Sequence, residues 1–358
     1  MPRSHVHSAE AAPDGETLGA LLRRYDSAGE AVSCEPLTQG LLNRGYRLAT
    51  TRGRFFLKHH LDGDRTAIAR QHRVTQRLGA LGVPVAPPVP DADGRTVAVI
   101  GGRCYALHPW IDGQHRAGGE LTAPQCWRLG GLLGLVHTCL ERVMRARTGD
   151  RRPPEEAADP EDTFAVIDEL LTLIRGRRDR DTFDELAEHR LVERRALLER
   201  HAHRRPEAHA VPVAGWVHGD FHPLNLLYRD TEPAAIVDWD RLGVQPRAEE
   251  AVRAAAIFFV RPDGTLELTK VRSYARAYRC TAGAGAFEMA AAVHRVWWER
   301  LNDFWMLRWR YQRGDRRADP QFPAAAALVV WWTRTPSTSP SASPARPTTP
   351  WRPSRSSS

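Results

Sequence analysis

At "HPWIDG", residues 108–113, the apolar pattern of the chain changes its period. Before it lie short stretches of β-type residues divided by Gly-containing turns: "SCEPLTQG", "RGYRLATT" and "RFFLKHH". One helical stretch follows, "RTAIARQHRVTQRLGALG", stopped by Gly82 and the proline-rich "VPVAPPVP". A hairpin, "TVAVI-GG-RCYAL", closes this half. After the break, apolar residues recur at helical spacing in "APQCWRLGGLLGLVHTCLERV" and in two segments within 160–204. Two short strands, "NLLY" and "AAIVDW", interrupt helices that continue to about residue 332. The pattern predicts an α+β chain of two lobes. A small antiparallel sheet with one main helix occupies 16–108, a hinge 109–113, and a larger helical lobe 114–332. Residues 1–15 and the Ser/Pro/Thr-rich 333–358 are expected to be unstructured.

Composition narrows the setting. The net charge is +8 and the pI about 9.6, which invites a nucleic-acid reading. The arginines, however, are mostly interleaved with acids, as in "RGRRDRDTFDELAEHR", and part of the excess sits in the tail. Small anionic partners such as a nucleotide are the better expectation, with neither nucleic acid nor membrane. The longest apolar run, Ala324 to Trp332, is well short of the roughly 20 residues of a spanning helix. The N-terminus lacks the apolar core of a secretory signal, and five scattered cysteines form no C-x-x-C pair. Both fit a reducing cytoplasm.

The densest chemistry is in "GWVHGDFHPLNLLYRD", 215–230, where His218, Asp220 and His222 alternate. In an extended strand these side chains would share a face and suit zinc or iron. The downstream "DWDR" supplies carboxylates but no further histidine. The alternative is a loop around one working carboxylate. Asp220 is followed by Asn225 and then by Asp238, at the end of the apolar run "AAIV". A carboxylate for an attacking hydroxyl plus hard oxygen ligands for Mg²⁺ is what phosphoryl transfer needs.

"HGDFHPLN" followed by "IVDWD" resembles the signature of the superfamily of aminoglycoside phosphotransferases, choline kinases and homoserine kinases. The resemblance implies a protein-kinase-like fold and an ATP- and Mg²⁺-dependent transfer to a small-molecule acceptor. It makes Asp220 the catalytic base or hydroxyl-orienting group, and Asn225 and Asp238 the metal ligands. His218 and His222 then brace the loop, and Asp240 helps order the metal site. The third strand of such a fold carries a phosphate-binding lysine. The chain holds only two lysines, Lys58 and Lys270, and Lys58 lies in "RFFLKHH", the third strand. A compact ammonium there, in so arginine-biased a chain, points to function.

Gly40 and Gly45 are expected to permit a tight turn near phosphates. Gln71 stands where the family carries a glutamate that pairs with the lysine. Pro109 and Ile111 offer a carbonyl and an N–H to adenine at the hinge, and Leu227 and Val237 an apolar floor. His137 reads as a satisfied core histidine. Trp297, Trp298, Trp305 and Trp309 fall partly on one helical stripe, either as core or as an acceptor wall, and Glu249, Glu299 and Asp303 are candidate acceptor contacts. A Ser/Thr protein kinase of the same superfamily and a catalytically silent nucleotide-binding module remain alternatives. Gln71 favours the second.

Overall fold

The computed structural model describes residues 12–37, 43–61, 63–144, 156–207 and 214–335. Its first half is an antiparallel sheet of order β1-β2-β3-β5-β4, formed by Ala31–Leu37, Arg44–Thr50, Gly53–His60, Arg103–Pro109 and Ala98–Ile100. Alternation in β2 and β5 turns Tyr46, Leu48, Tyr105 and Leu107 onto a core shared with Leu57 and Leu21. Helix α1 (Gly15–Leu22) covers that core, while α2 (Arg65–Ala80) carries Ile68 against Val97 and Cys104. Asp64 caps α2 through the N–H groups of Thr66 and Ala67.

The second half holds α3 (Ala123–Val143), α4 (Pro160–Arg175), α5 (Thr182–His201), α6 (Arg247–Phe258), α7 (Leu268–Ala282), α8 (Ala286–Asn302), α9 (Trp305–Arg313) and α10 (Phe322–Arg334). Two strand pairs lie among them. β7 (Leu226–Arg229) pairs with β8 (Glu232–Ile236), as the sequence indicates. The second pair, β6 (Ala214–Val217) with β9 (Gly243–Pro246), is too short to have been read from pattern. The expected α+β arrangement is therefore the one adopted.

Several boundaries differ. Pro109 is the last residue of β5, opposite Phe55, so sheet pairing runs into the expected hinge. This is tolerable because β4 ends short of that position and leaves Pro109 on a free edge. Most of both expected unstructured ends lies outside the described residues. Where they are described, Asp14 caps α1, and α10 passes residue 332. Thr333 is buried and accepts a hydrogen bond from Trp297 Nε1 at 2.9 Å, so the fold includes it.

The tryptophan stripe also breaks. Asp303 accepts from Trp305 N and starts α9, separating Trp298 from Trp305 and Trp309. Trp297 and Trp298 pack in the core of α5, α8 and α10, and Trp298 Nε1 donates to Ala158 O. Trp305 and Trp309 stack edge to face on each other.

Three histidines of the first half, His60, His72 and His108, meet edge to face behind β3. Burial pushes them down to about 3, 2 and 4 respectively. An unfolded histidine titrates near 6.5. Above that pH the three are neutral in both states and cost nothing. Between pH 6.5 and about 4 the unfolded chain takes up protons that the folded chain refuses, so stability falls with acidity. The slope approaches about 1.4 kcal/mol per pH unit for each histidine. Denaturant titrations at pH 7.5, 6 and 5 should show this, and His108→Gln, which can keep the bond to Ala86 O, should reduce the slope by one histidine's share, up to about 1.4 kcal/mol per pH unit. An unchanged slope in that variant contradicts the assignment.

Candidate active site

Lys58 faces the loop that follows β8. The side chain is buried, and Nζ lies 2.8 Å from Asp238 Oδ1 and 2.6 Å from Asp240 Oδ2. Burial opposes the ammonium, but the two carboxylates outweigh it and raise its pKa. Gly45, opposite Lys58 on β2, sits inside the strand rather than in a turn. That corrects its expected role; Gly40 lies outside the described residues.

Gln71 makes a different contact from the expected one. Its Nε2 donates to Asp240 O at 3.0 Å instead of serving Lys58. Asn43 grips the same residue: Nδ2 bonds Asp240 Oδ2, and Oδ1 accepts from Leu61 N. Asp240 is thereby held by β2's entrance, α2 and β3 at once. Asp238 and Asp240 titrate as a unit around one ammonium. Burial disfavours both charges; Lys58 holds Asp238 low, while Asp238 itself leaves Asp240 raised.

Asp238 has φ 59° and ψ 68°, a left-handed conformation that costs a non-glycine residue about 1–3 kcal/mol. Flanking contacts impose it. Ile236 N donates to Pro84 O, Val237 N donates to Asn225 O, and Trp239 Nε1 returns to Ile236 O. The chain must therefore reverse at 238, which presents the carboxylate to Lys58.

The 218–225 loop is fixed by its histidines and by Glu250. His218 Nε2 donates to Val237 O at 3.0 Å, and its Nδ1 accepts from Asp220 N. His222 Nδ1 accepts from Leu224 N. Both rings thus tie the loop to itself, His218 also fastens it to Val237, and the alternation of His218, Asp220 and His222 is not an extended strand. Gly219 has φ 86°, and a Cβ there would lie 2.2 Å from Arg241 O, so only glycine lets the loop pass under the 238–241 turn. The buried Glu250 accepts from Gly219 N, from His218 N at 3.3 Å and from His137 Nε2 at 2.7 Å. Burial would raise its pKa, yet the His137 bond keeps it low. His137 is fully buried and also meets Tyr278 OH, the satisfied core histidine the sequence suggests.

Asp220 projects from this loop, its side chain about one-third exposed. Burial raises its pKa, but His222 and Arg241, 3.5 and 3.7 Å from Oδ2, hold it below the usual carboxylate range. Asn225 is buried, and Nδ2 donates to Asp220 O at 2.8 Å. That bond turns the amide nitrogen inward and leaves Oδ1 as the group available to a ligand.

Just past the expected hinge, Gln114 exchanges backbone hydrogen bonds with Tyr228. A Cβ on Gly113 would come within 2.9 Å of Tyr228 O, so the hinge crosses β7 there without a side chain. Leu227 lies at that crossing, and Pro109, Ile111, Leu227 and Val237 are all half-buried. The proposed acceptor carboxylates are already engaged: Glu249 with Arg295 and Arg253, Glu299 with Arg253. Sequence reasoning missed Glu250 and the bond from Asn43 to Asp240, because the partners lie far along the chain.

The donor set suits Mg²⁺. Asn225 offers an amide oxygen, and two carboxylates share one ammonium, leaving excess negative charge. Among the described residues no three His, Cys, Asp or Glu side chains are grouped to hold a metal by themselves.

The phosphotransferase enzyme family APH matches residues 33–284. The chain belongs to that family. A homoserine kinase of Neisseria meningitidis is 34% identical over 124 residues, covering 35% of this chain and 39% of that enzyme. One from Azorhizobium caulinodans is 25% identical over 283 residues, covering 77% and 79%. An aminoglycoside phosphotransferase of Alicyclobacillus acidocaldarius superposes with TM-score 0.60 at 15% identity, covering 92% of this chain and 98% of that one. An amicoumacin kinase in complex with AMP-PNP and Ca²⁺ gives 0.58 at 18%, covering 90% and 94%. The fold is that of the protein-kinase-like phosphotransferases, and the chain is a small-molecule kinase with a hydroxyl acceptor. No helix among the described residues is long and apolar enough to cross a membrane.

Proposed function

We propose that the protein transfers the γ-phosphoryl group of ATP, with Mg²⁺, to a hydroxyl of a small amino alcohol or sugar-like acceptor. The observation that carries this reading is the meeting of Lys58, from the third strand, with Asp238 and Asp240, from the turn after β8. Asp220 and Asn225 stand on the adjoining loop.

In this reading Lys58 holds the α- and β-phosphates, and Pro109, Ile111, Leu227 and Val237 receive the adenine. Asn225 and Asp238 hold Mg²⁺, which when bound neutralises charge on the phosphate oxygens. Asp220, ionised at neutral pH, orients the acceptor hydroxyl and takes its proton as the bond to phosphorus forms. His218 and Glu250 keep the loop in place. The homoserine kinases favour an amino-alcohol acceptor. Labelled γ-phosphate should appear in one member of a panel of homoserine, amino alcohols, choline, aminoglycosides and sugars. Label in a peptide substrate alone would favour the protein-kinase alternative.

Gln71 at the usual glutamate position argued for a silent module. The network around Lys58 supports another reading, in which Asp240 supplies the charge that α2 lacks. Asp240→Asn should then lower turnover by ~10- to 100-fold, equivalent to about 1.5–3 kcal/mol for a hydrogen bond to a charged group. Adding Gln71→Glu, which returns a carboxylate to α2, should restore part of it. If the double variant gains nothing and instead demands far more Mg²⁺, Asp240 serves the metal and not the lysine.

A further inference from the structure

Away from the active site, α5, the end of α8, α9 and α10 border a half-open pocket of about 40 Å³, lined by Arg190, Arg194, Arg300, Asp303, Phe304 and Trp305 among others. On the scale where one water needs roughly 10–15 Å³, it holds about three water-sized bodies.

Its charges are poorly matched. Arg194 is 7% exposed, and among the described residues no carboxylate is bonded to it; Asp303 and Glu193 act on it only through space. Its Nη1 caps α8 through Arg300 O at 2.6 Å and Leu301 O at 3.2 Å, and its face lies over the Phe304 ring. Capping the negative end of α8 accounts for that one nitrogen. No hydrogen bond engages Nε or Nη2 among the described residues, and burial pushes the pKa of the guanidinium down to about 10. Arg190 spends Nη1 on Glu193, while its Nε is buried without a partner. Arg300 Nε is likewise buried and unpartnered. The acid lining the pocket, Asp303, is already bonded to Trp305 N, and burial raises its pKa. Each unsatisfied buried donor is costly, and a buried cation short of countercharge more so.

We infer that Arg190, Arg194 and Arg300 form a second binding site, for a phosphate group, in the helical half of the chain. Three guanidinium forks offer more donors than the two oxygens of a carboxylate can accept at one centre. A phosphate brings more acceptor oxygens and about −1.5 to −2 of charge. None of the three arginines is among the residues assigned to nucleotide, metal or acceptor hydroxyl, so this inference does not depend on that reading.

The test is calorimetric titration of the full chain with inorganic phosphate at constant ionic strength, with acetate in parallel. Wild type should bind phosphate saturably, and Lys58→Met, which disables phosphate binding in the active cleft, should bind it equally well. Arg190→Gln and Arg300→Gln should each weaken binding by about 10-fold or more. Arg190→Lys and Arg300→Lys retain charge and serve if the glutamine variants fold poorly; they should weaken it less. Absence of saturable binding overturns the proposal, as does loss in Lys58→Met with both arginine variants unchanged. Acetate binding as tightly as phosphate overturns the assigned chemistry.

Discussion

Asp220→Asn should cut phosphoryl transfer by roughly 10²-fold or more, the scale of a positioned acid–base group, while leaving Mg·ATP affinity nearly unchanged. The substitution keeps the shape of the side chain and removes its charge. The carboxylate is one-third exposed and is held ionised by His222 and Arg241, so it is charged when an acceptor arrives. Its backbone carbonyl, not its carboxylate, is what Asn225 uses, so the loop should survive the change. Nucleotide affinity measured beside turnover checks both halves. A variant that loses affinity as much as turnover would place Asp220 in the nucleotide site instead.

Asp238→Asn should fail differently. Here the lost charge belongs to the group facing Lys58 and the expected metal, so Mg²⁺-dependent nucleotide binding should weaken together with turnover. Affinity without Mg²⁺ should change much less. Asparagine tolerates the left-handed backbone that residue 238 adopts, so the fold should persist. Nucleotide titrations with and without Mg²⁺ decide it; an equal loss in both would assign Asp238 to bracing Lys58 alone.

How much of this was legible beforehand depended on distance along the chain. The two halves showed in the change of hydrophobic period, and the strand carrying Lys58 stood out because the chain uses arginine almost everywhere else. Asp220, Asn225 and Asp238 are close in sequence, so their spacing is readable. Asn43 and Asp240 meet across 197 residues, and no local pattern announces such a pair. Gln71 was placed correctly on α2, but its partner is a backbone carbonyl, to which composition is blind. Glu250 lies on an ordinary amphipathic helix, and only folding turns it beneath the 218–219 peptide. The tryptophan stripe misled because α8 and α9 join without Gly or Pro. The break comes at Asp303, which ends α8 and whose carboxylate takes the Trp305 N–H as α9 begins, a signal easily lost in an apolar run.

The central claim is that this constellation moves a phosphoryl group rather than merely holding a nucleotide. The most direct measurement follows γ-labelled ATP with Mg²⁺ and the acceptor panel under single-turnover conditions, for wild type and Asp220→Asn. Label should pass to an acceptor hydroxyl in wild type, or slowly to water in its absence, and both should collapse in the variant. Wild type that binds Mg·ATP tightly, leaves all label on ATP and cannot be told from Asp220→Asn would make the protein a nucleotide sensor and contradict the account.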